Sequence, residues 1–184
     1  WSPDGKWIAF GGTDGSLRKI ATDGTSLTTI SELDASGVSG LTWIDNRDIA
    51  FGRINLSLGM GMWRVPAAGG DPVLFSKPGT PNERLQLSGR SADGGRLIFY
   101  TSGKAGNADL QIGVLIAETG EAKVFPALQG FRALGLVEGH LLYVRGDGVM
   151  MAAPFDVGTL TAGQPVPVLD SIAAPNWLLP AALS

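Results

Sequence analysis

The sequence predicts an all-β chain: a β-propeller segment of about four antiparallel blades that stays open and does not close into a ring. Three observations predict it. A turn-plus-strand motif recurs along the chain, marked by Phe10, Phe51, Phe99 and Tyr143 at separations of 41, 48 and 44 residues, a period that suits four-stranded blades. Short apolar segments alternate with Gly, Asp and Asn turns about every ten residues. No window sustains helical periodicity for three turns.

The composition agrees. The 184 residues are 44% hydrophobic and 17% charged, with 27 Gly and 11 Pro, which fits a single globular unit that turns often and excludes a coiled coil, a collagen or a helical bundle.

Taken in order, the first unit (1–31) opens with Trp1-Ser-Pro-Asp-Gly-Lys-Trp-Ile-Ala-Phe10, a tight turn feeding a strand, and continues through Leu17-Arg-Lys-Ile20 and Ser26-Leu-Thr-Thr-Ile30. It is expected to lack its inner strand. The second (37–76) repeats the layout at Thr42-Trp-Ile-Asp-Asn-Arg-Asp-Ile-Ala-Phe51, then Met62-Trp-Arg-Val65 and Pro72-Val-Leu-Phe75. The third (84–126) does so at Ser91-Ala-Asp-Gly-Gly-Arg-Leu-Ile-Phe99, then Ile112-Gly-Val-Leu-Ile116 and Ala122-Lys-Val-Phe125. The fourth (130–170) carries Leu136-Val-Glu-Gly-His-Leu-Leu-Tyr143, Val149-Met-Met-Ala-Ala153 and Pro165-Val-Pro-Val-Leu169, and 171–184 reads as the start of a further blade. Alternation then places Ile8, Phe10, Ile49, Phe51, Leu97, Phe99, Leu142 and Val144 in the core. The chain starts at Trp1 with no leader, so it is expected to begin mid-protein or after processing.

The opening motif Trp-Ser-Pro-Asp-Gly-Lys-Trp-Ile-Ala-Phe resembles the WD-like propeller repeats of the TolB type. The third copy has Ala92 in place of the Pro, and the second keeps only the acidic turn at Asp45-Asn-Arg47. The blocks Met62-Trp-Arg-Val-Pro-Ala-Ala-Gly-Gly70, Gly139-His-Leu-Leu-Tyr-Val-Arg145, Met151-Ala-Ala-Pro-Phe-Asp156 and Leu160-Thr-Ala-Gly-Gln-Pro-Val-Pro-Val168 are similar to the sensor propellers attached to bacterial membrane-anchored serine/threonine kinases. The resemblance implies a binding or sensor module in a periplasmic or extracytoplasmic setting. The kinase domain itself is absent from this sequence, so no kinase chemistry is implied for it.

The chemistry-bearing residues are few. Fourteen Lys and Arg against seventeen Asp and Glu give a net charge of −3. No basic run or stripe appears, so a nucleic-acid partner is not expected. The lack of cysteine excludes a disulfide framework, a thiolate zinc site and a cysteine nucleophile. The longest charge-free stretch, Ser171 to Ser184, is 14 residues broken by Pro175 and Pro180, too short for a membrane-spanning helix. Membrane attachment is therefore expected only through a segment outside this chain.

His140 is the single histidine, and no Gly-x-Ser-x-Gly elbow accompanies it. It reads as structural or solvent-facing, and the chain as non-enzymatic. Asp4, Asp45 and Asp93 read as caps of their own turns and not as a ring around a cation. No calcium loop or pair of histidine ligands is present, so neither metal nor cofactor is expected. Gly59-Met-Gly-Met62 reads as a flexible hairpin loop and Gly69-Gly70 as a turn. Trp43, Trp63 and Trp177 read as packing.

One alternating segment stands apart. Arg84, Gln86, Ser88 and Arg90 share one face while Leu85 and Leu87 take the other, on what should be an innermost strand, and Arg132 holds a comparable place in the fourth unit. These residues are the candidate channel-facing or ligand-facing set, suited to a protein, peptide or other anionic ligand. The rival readings are a solvated channel wall, the gating propeller of a prolyl-oligopeptidase-like hydrolase, and a TolB-like periplasmic scaffold.

Overall fold

The computed structural model describes residues 1–33, 38–55, 59–77, 83–87, 92–104 and 110–172. Within them the chain is a succession of antiparallel meanders. Sheet one contains β1 (Trp7–Gly11), β2 (Ser16–Ala21) and β3 (Leu27–Glu32). Sheet two contains β4 (Val38–Trp43), β5 (Asp48–Asn55), β6 (Gly59–Pro66) and β7 (Val73–Ser76). Sheet three contains β8 (Glu83–Leu87), β9 (Leu97–Lys104), β10 (Gln111–Ile116) and β11 (Ala122–Gln129). Sheet four contains β12 (Arg132–Val137), β13 (His140–Val144), β14 (Met150–Asp156), β15 (Thr161–Ala162) and β16 (Val166–Leu169), the last paired with β14. The four sheets do not close into a ring. A single 3₁₀ turn at Asp93–Gly95 is the only helical element among the described residues, and none there is long and apolar enough to cross a membrane.

Each meander packs face to face against the next, and the three junctions produce three core clusters. Ala9, Leu17, Ile30, Trp43, Ile49 and Phe51 fill the junction of sheets one and two. Ala50, Met62, Leu85, Leu87, Ile98, Tyr100 and Leu115 fill that of sheets two and three. Leu97, Phe99, Val114, Phe125, Leu141, Tyr143 and Phe155 fill that of sheets three and four. In the last, Phe155 meets Phe99 and Phe125 edge-on at centroid distances of 5.7 and 5.5 Å. Each large side chain buried in this way contributes about 1.5–3 kcal/mol. On the inner strands, Gly40 (φ +81°) passes so near sheet three that a Cβ would lie 2.3 Å from the Leu87 carbonyl oxygen.

The clusters correct the expected core in two places. In sheet one Ala9 is buried while Ile8 and Phe10 are only half-buried; those two lie on the face opposite Ala9, which no sheet among the described residues covers. In sheet four Leu141, Tyr143 and Val144 are buried and Leu142 is half-buried.

The third unit also runs one residue out of step with its aromatic mark. Ile49 and Phe51 face the preceding sheet, but in sheet three it is Ile98 and Tyr100 that do so, while Leu97 and Phe99 face the following one. The structural equivalents are therefore Phe10, Phe51, Tyr100 and Tyr143, spaced by 41, 49 and 43 residues. The cause is where the acidic residue stands: the turns Ser2–Trp7 and Ala92–Leu97 are equally long, so Asp93 takes the place of Pro3 and not that of Asp4. The Ser2 amide bonds the Trp7 carbonyl and the Ala92 amide bonds that of Leu97, so Leu97 matches Trp7 and Ile98 matches Ile8.

Cations stitch the sheets at the same end of the strands. An Arg64 Nη donates to the Ala117 carbonyl at 3.4 Å, an Arg96 Nη to the Val157 carbonyl at 2.9 Å and Lys123 Nζ to the Leu160 carbonyl at 2.7 Å. In each case the acceptor belongs to the following sheet.

Candidate functional site

The turn from β4 to β5 borders two concave surfaces. Asp45 Oδ1 accepts the amides of Arg47 (2.7 Å) and Asp48 (2.8 Å), closing an Asx-type turn. Burial works to raise the Asp45 pKa, but the Arg47 and Asp48 amides hold the carboxyl below its ordinary range. The Arg47 carbonyl accepts the Ala67 amide at 2.6 Å, tying this turn to the one after β6. Asn46 then projects sideways, and its Oδ1 accepts the Asp4 amide of sheet one at 3.0 Å.

Asn46 separates two clefts. One, about 660 Å³, is lined by Lys19, Arg47, Asp48, Arg64 and the turn Pro66–Ala68. The other, about 540 Å³, is lined by Trp1, Pro3, Leu41, Trp43, Gly94 and Gly95 among others. Both volumes lie in the range of small-molecule sites.

In the first cleft Arg64 pairs with Asp48 at 2.7 Å, and Arg47, 87% exposed, reaches Asp45 at only 3.5 Å. Lys19 Nζ lies 4.5 Å from the centroid of the Trp7 ring. Three cations thus share the cleft with one lining carboxylate, and that carboxylate is already engaged. The arrangement can hold an anion by charge-assisted hydrogen bonds.

The residues singled out from the sequence are placed differently. Arg84 and Gln86 lie on β8, opposite Gly103 and Thr101; Gln86 is half-buried while Leu85 and Leu87 are in the core. Arg132 is exposed at the start of β12, opposite Val144. Arg90 and Trp177 lie outside the described residues, as does nearly all of 171–184. Neither Gln86 nor Arg132 lines either cleft.

His140 is exposed at the start of β13, with Nδ1 3.0 Å from the Glu138 carbonyl. That acceptor makes Nδ1 the protonated nitrogen. Asp4 caps its turn, the Ser2 hydroxyl and the Lys6 amide lowering its pKa. Asp93 departs from the pattern: it has φ +52° and pairs with Arg96 at 2.5 Å. Gly59–Met62, expected as a loop, is the first half of β6, paired with Asn55 through Gly52. A Cβ at Gly61 would meet Leu74 Cδ1 at 2.9 Å, so a larger residue there needs the Leu74 side chain to shift. Trp43 is buried, and half-buried Trp63 carries the Arg53 guanidinium 5.4 Å from its ring centroid. Among the described residues no three His, Asp or Glu side chains gather as metal ligands would.

Lys19, Arg47 and Arg64 were not singled out from the sequence. The available signal was positional: Lys19 in Leu17-Arg-Lys-Ile20 and Arg64 in Met62-Trp-Arg-Val65 occupy the same place in successive units.

No protein-family model and no curated protein matches the chain. Solved structures do. A luciferin-regenerating enzyme superposes with a TM-score of 0.67 at 14% identity, over 92% of this chain and 59% of that one. An auxiliary nutrient binding protein from Bacteroides thetaiotaomicron gives 0.63 at 12% identity, over 96% and 42%. A prolyl endopeptidase gives 0.55 at 19% identity, over 92% and 27%. These are β-propeller-type proteins. The fold is that of a β-propeller, left open. The chain spans from about a quarter to three-fifths of the length of these three neighbours, and at such identities the likeness concerns architecture alone.

Proposed function

We propose that the chain is a non-catalytic binding propeller, the sensor part of a bacterial envelope protein and specifically the extracytoplasmic portion of a serine/threonine kinase. The observation that carries the binding reading is the cation-lined cleft between sheets one and two, built on hydrogen-bonded turns and held by packed sheets, the arrangement expected when a rigid scaffold presents loops to a ligand. The kinase assignment rests on the sequence blocks at 62–70, 139–145, 151–156 and 160–168. His140, the one conventional base, sits on an exposed strand start with its Nδ1 proton committed to a backbone carbonyl.

Incubation of the chain with ester, peptide and ATP substrates should give background rates. A clear rate abolished by His140→Ala would overturn the non-catalytic reading. A second reading, the gating propeller of a prolyl-oligopeptidase-like hydrolase, draws on the likeness to a prolyl endopeptidase; a TolB-like scaffold draws on the opening motif. The gene sequence on either side separates these readings, by encoding a kinase domain with a membrane helix, a hydrolase nucleophile elbow, or a small α/β domain before the propeller.

A further inference from the structure

We propose that the cleft between sheets one and two is an anion site in which Lys19 and Arg47 clamp a carboxylate or phosphate group of a small ligand. The proposal deepens the binding-module reading and rests on it. Its basis is a broken symmetry between two successive units. Cross-strand register pairs Ile8 with Ile20 and Ile49 with Val65, so Lys19 and Arg64 are equivalent, as are Trp7 and Asp48.

In sheet two the couple is Asp48 with Arg64, a salt bridge, and Arg64 also reaches a carbonyl of the next sheet. In sheet one an indole stands where the carboxylate would be. The Lys19 ammonium rests over it and, among the described residues, has no hydrogen bond or ion pair with the protein. A cation–π contact holds the ammonium in place without neutralising it. Arg47, which also lines the cleft, is mostly exposed, and its contact with Asp45 is long. An oxyanion entering the cleft would supply what Asp48 supplies one unit later. Asn46 and the Pro66–Ala68 turn also line the cleft, which leaves room for a ligand larger than a bare ion.

Inorganic phosphate, succinate, and a tripeptide with a free or an amidated C-terminus should be titrated into the full chain. Binding is followed by tryptophan fluorescence, since Trp7 lies under Lys19, and by calorimetry in parallel. Saturable binding of at least one probe is expected, weakened about tenfold or more by Lys19→Gln and by Arg47→Gln. Lys123→Gln, which removes the same charge at the junction of sheets three and four, should leave it unchanged. Far-ultraviolet circular dichroism verifies that each variant is folded. The peptide pair separates a terminal carboxylate from a free small anion as the source. Absence of saturable binding to every probe, or equal weakening by Lys123→Gln, would overturn the anion site. Such a result would leave the non-catalytic reading standing, since that falls only to turnover of a substrate.

Discussion

At Gly95 the backbone has φ +95°, and a Cβ there would sit 1.5 Å from the carbonyl oxygen of Ile44 in the adjoining sheet. That oxygen is main chain and cannot rotate aside. Gly94, its neighbour, has φ +65° with nothing within 4 Å. Gly94→Ala should therefore cost only the left-handed strain, about 1 kcal/mol, whereas Gly95→Ala should cost ~3 kcal/mol or more, because a sheet junction must open to admit the methyl. Urea unfolding of the two variants measures the difference, and equal midpoints would refute the close approach. Single residues were legible in the sequence where their role is local. Asp4 and Asp45 read as turn caps, and their carboxylates do accept amides two residues on. Lys19 was not legible, because its importance depends on Trp7 standing opposite where Asp48 stands one unit later, a fact of cross-strand register.

Strands and turns were legible from alternation and from the Gly and Asp punctuation; the facing of individual strands was less so. A one-residue change in a turn inverts every side chain in the strand that follows. The third unit shows a shift of the same size: Asp93 stands where Pro3 stands, so Tyr100 and not Phe99 is the structural equivalent of Phe51. In the fourth unit the expected burial of Leu142 fails for a related reason: the motif around Glu138 and Gly139 is too degenerate to fix the phase. Tyr143 faces the third sheet, where burial also pushes its phenol pKa up, while Leu142 faces outward. Tyr143→Ala is accordingly expected to cost about 3–5 kcal/mol and Leu142→Ala about 1 kcal/mol. Chemical denaturation tests this, and the reverse order would restore the phase read from the sequence. The candidate site was obscured at the same scale. Arg84, Gln86 and Arg132 do lie on inner-edge strands, but the cleft forms where turns of different units converge, and no single segment encodes it.

Across the whole molecule the turns share an electrostatic habit. The carboxyls of Asp4, Asp14, Asp23 and Asp156 are all held below the ordinary aspartate value of 3.8, by the Ser2 hydroxyl, the Ser16 hydroxyl, the Thr25 amide and the Thr159 amide respectively. A carboxyl whose folded pKa is depressed contributes stability above its unfolded pKa and loses it as pH falls through the folded one. The urea midpoint should thus be level near neutrality and decline below about pH 4. Asn at positions 4, 23 and 156 keeps an acceptor oxygen for each turn without the titration, so the triple variant should show a shallower acid decline; an unchanged decline would remove these turns as its origin. The connections between sheets follow another rule. Arg64 and Arg96 find a carboxylate within their own sheet, but across the junction Arg64, Arg96 and Lys123 all end on peptide carbonyls. A carbonyl carries no proton to gain and is present whichever amino acid supplies it. Acid can therefore slacken individual turns while the ties from sheet to sheet persist. Positions 117, 157 and 160 are also free to change identity without untying them, so adjacent units can diverge in sequence and still be held together by the same atoms.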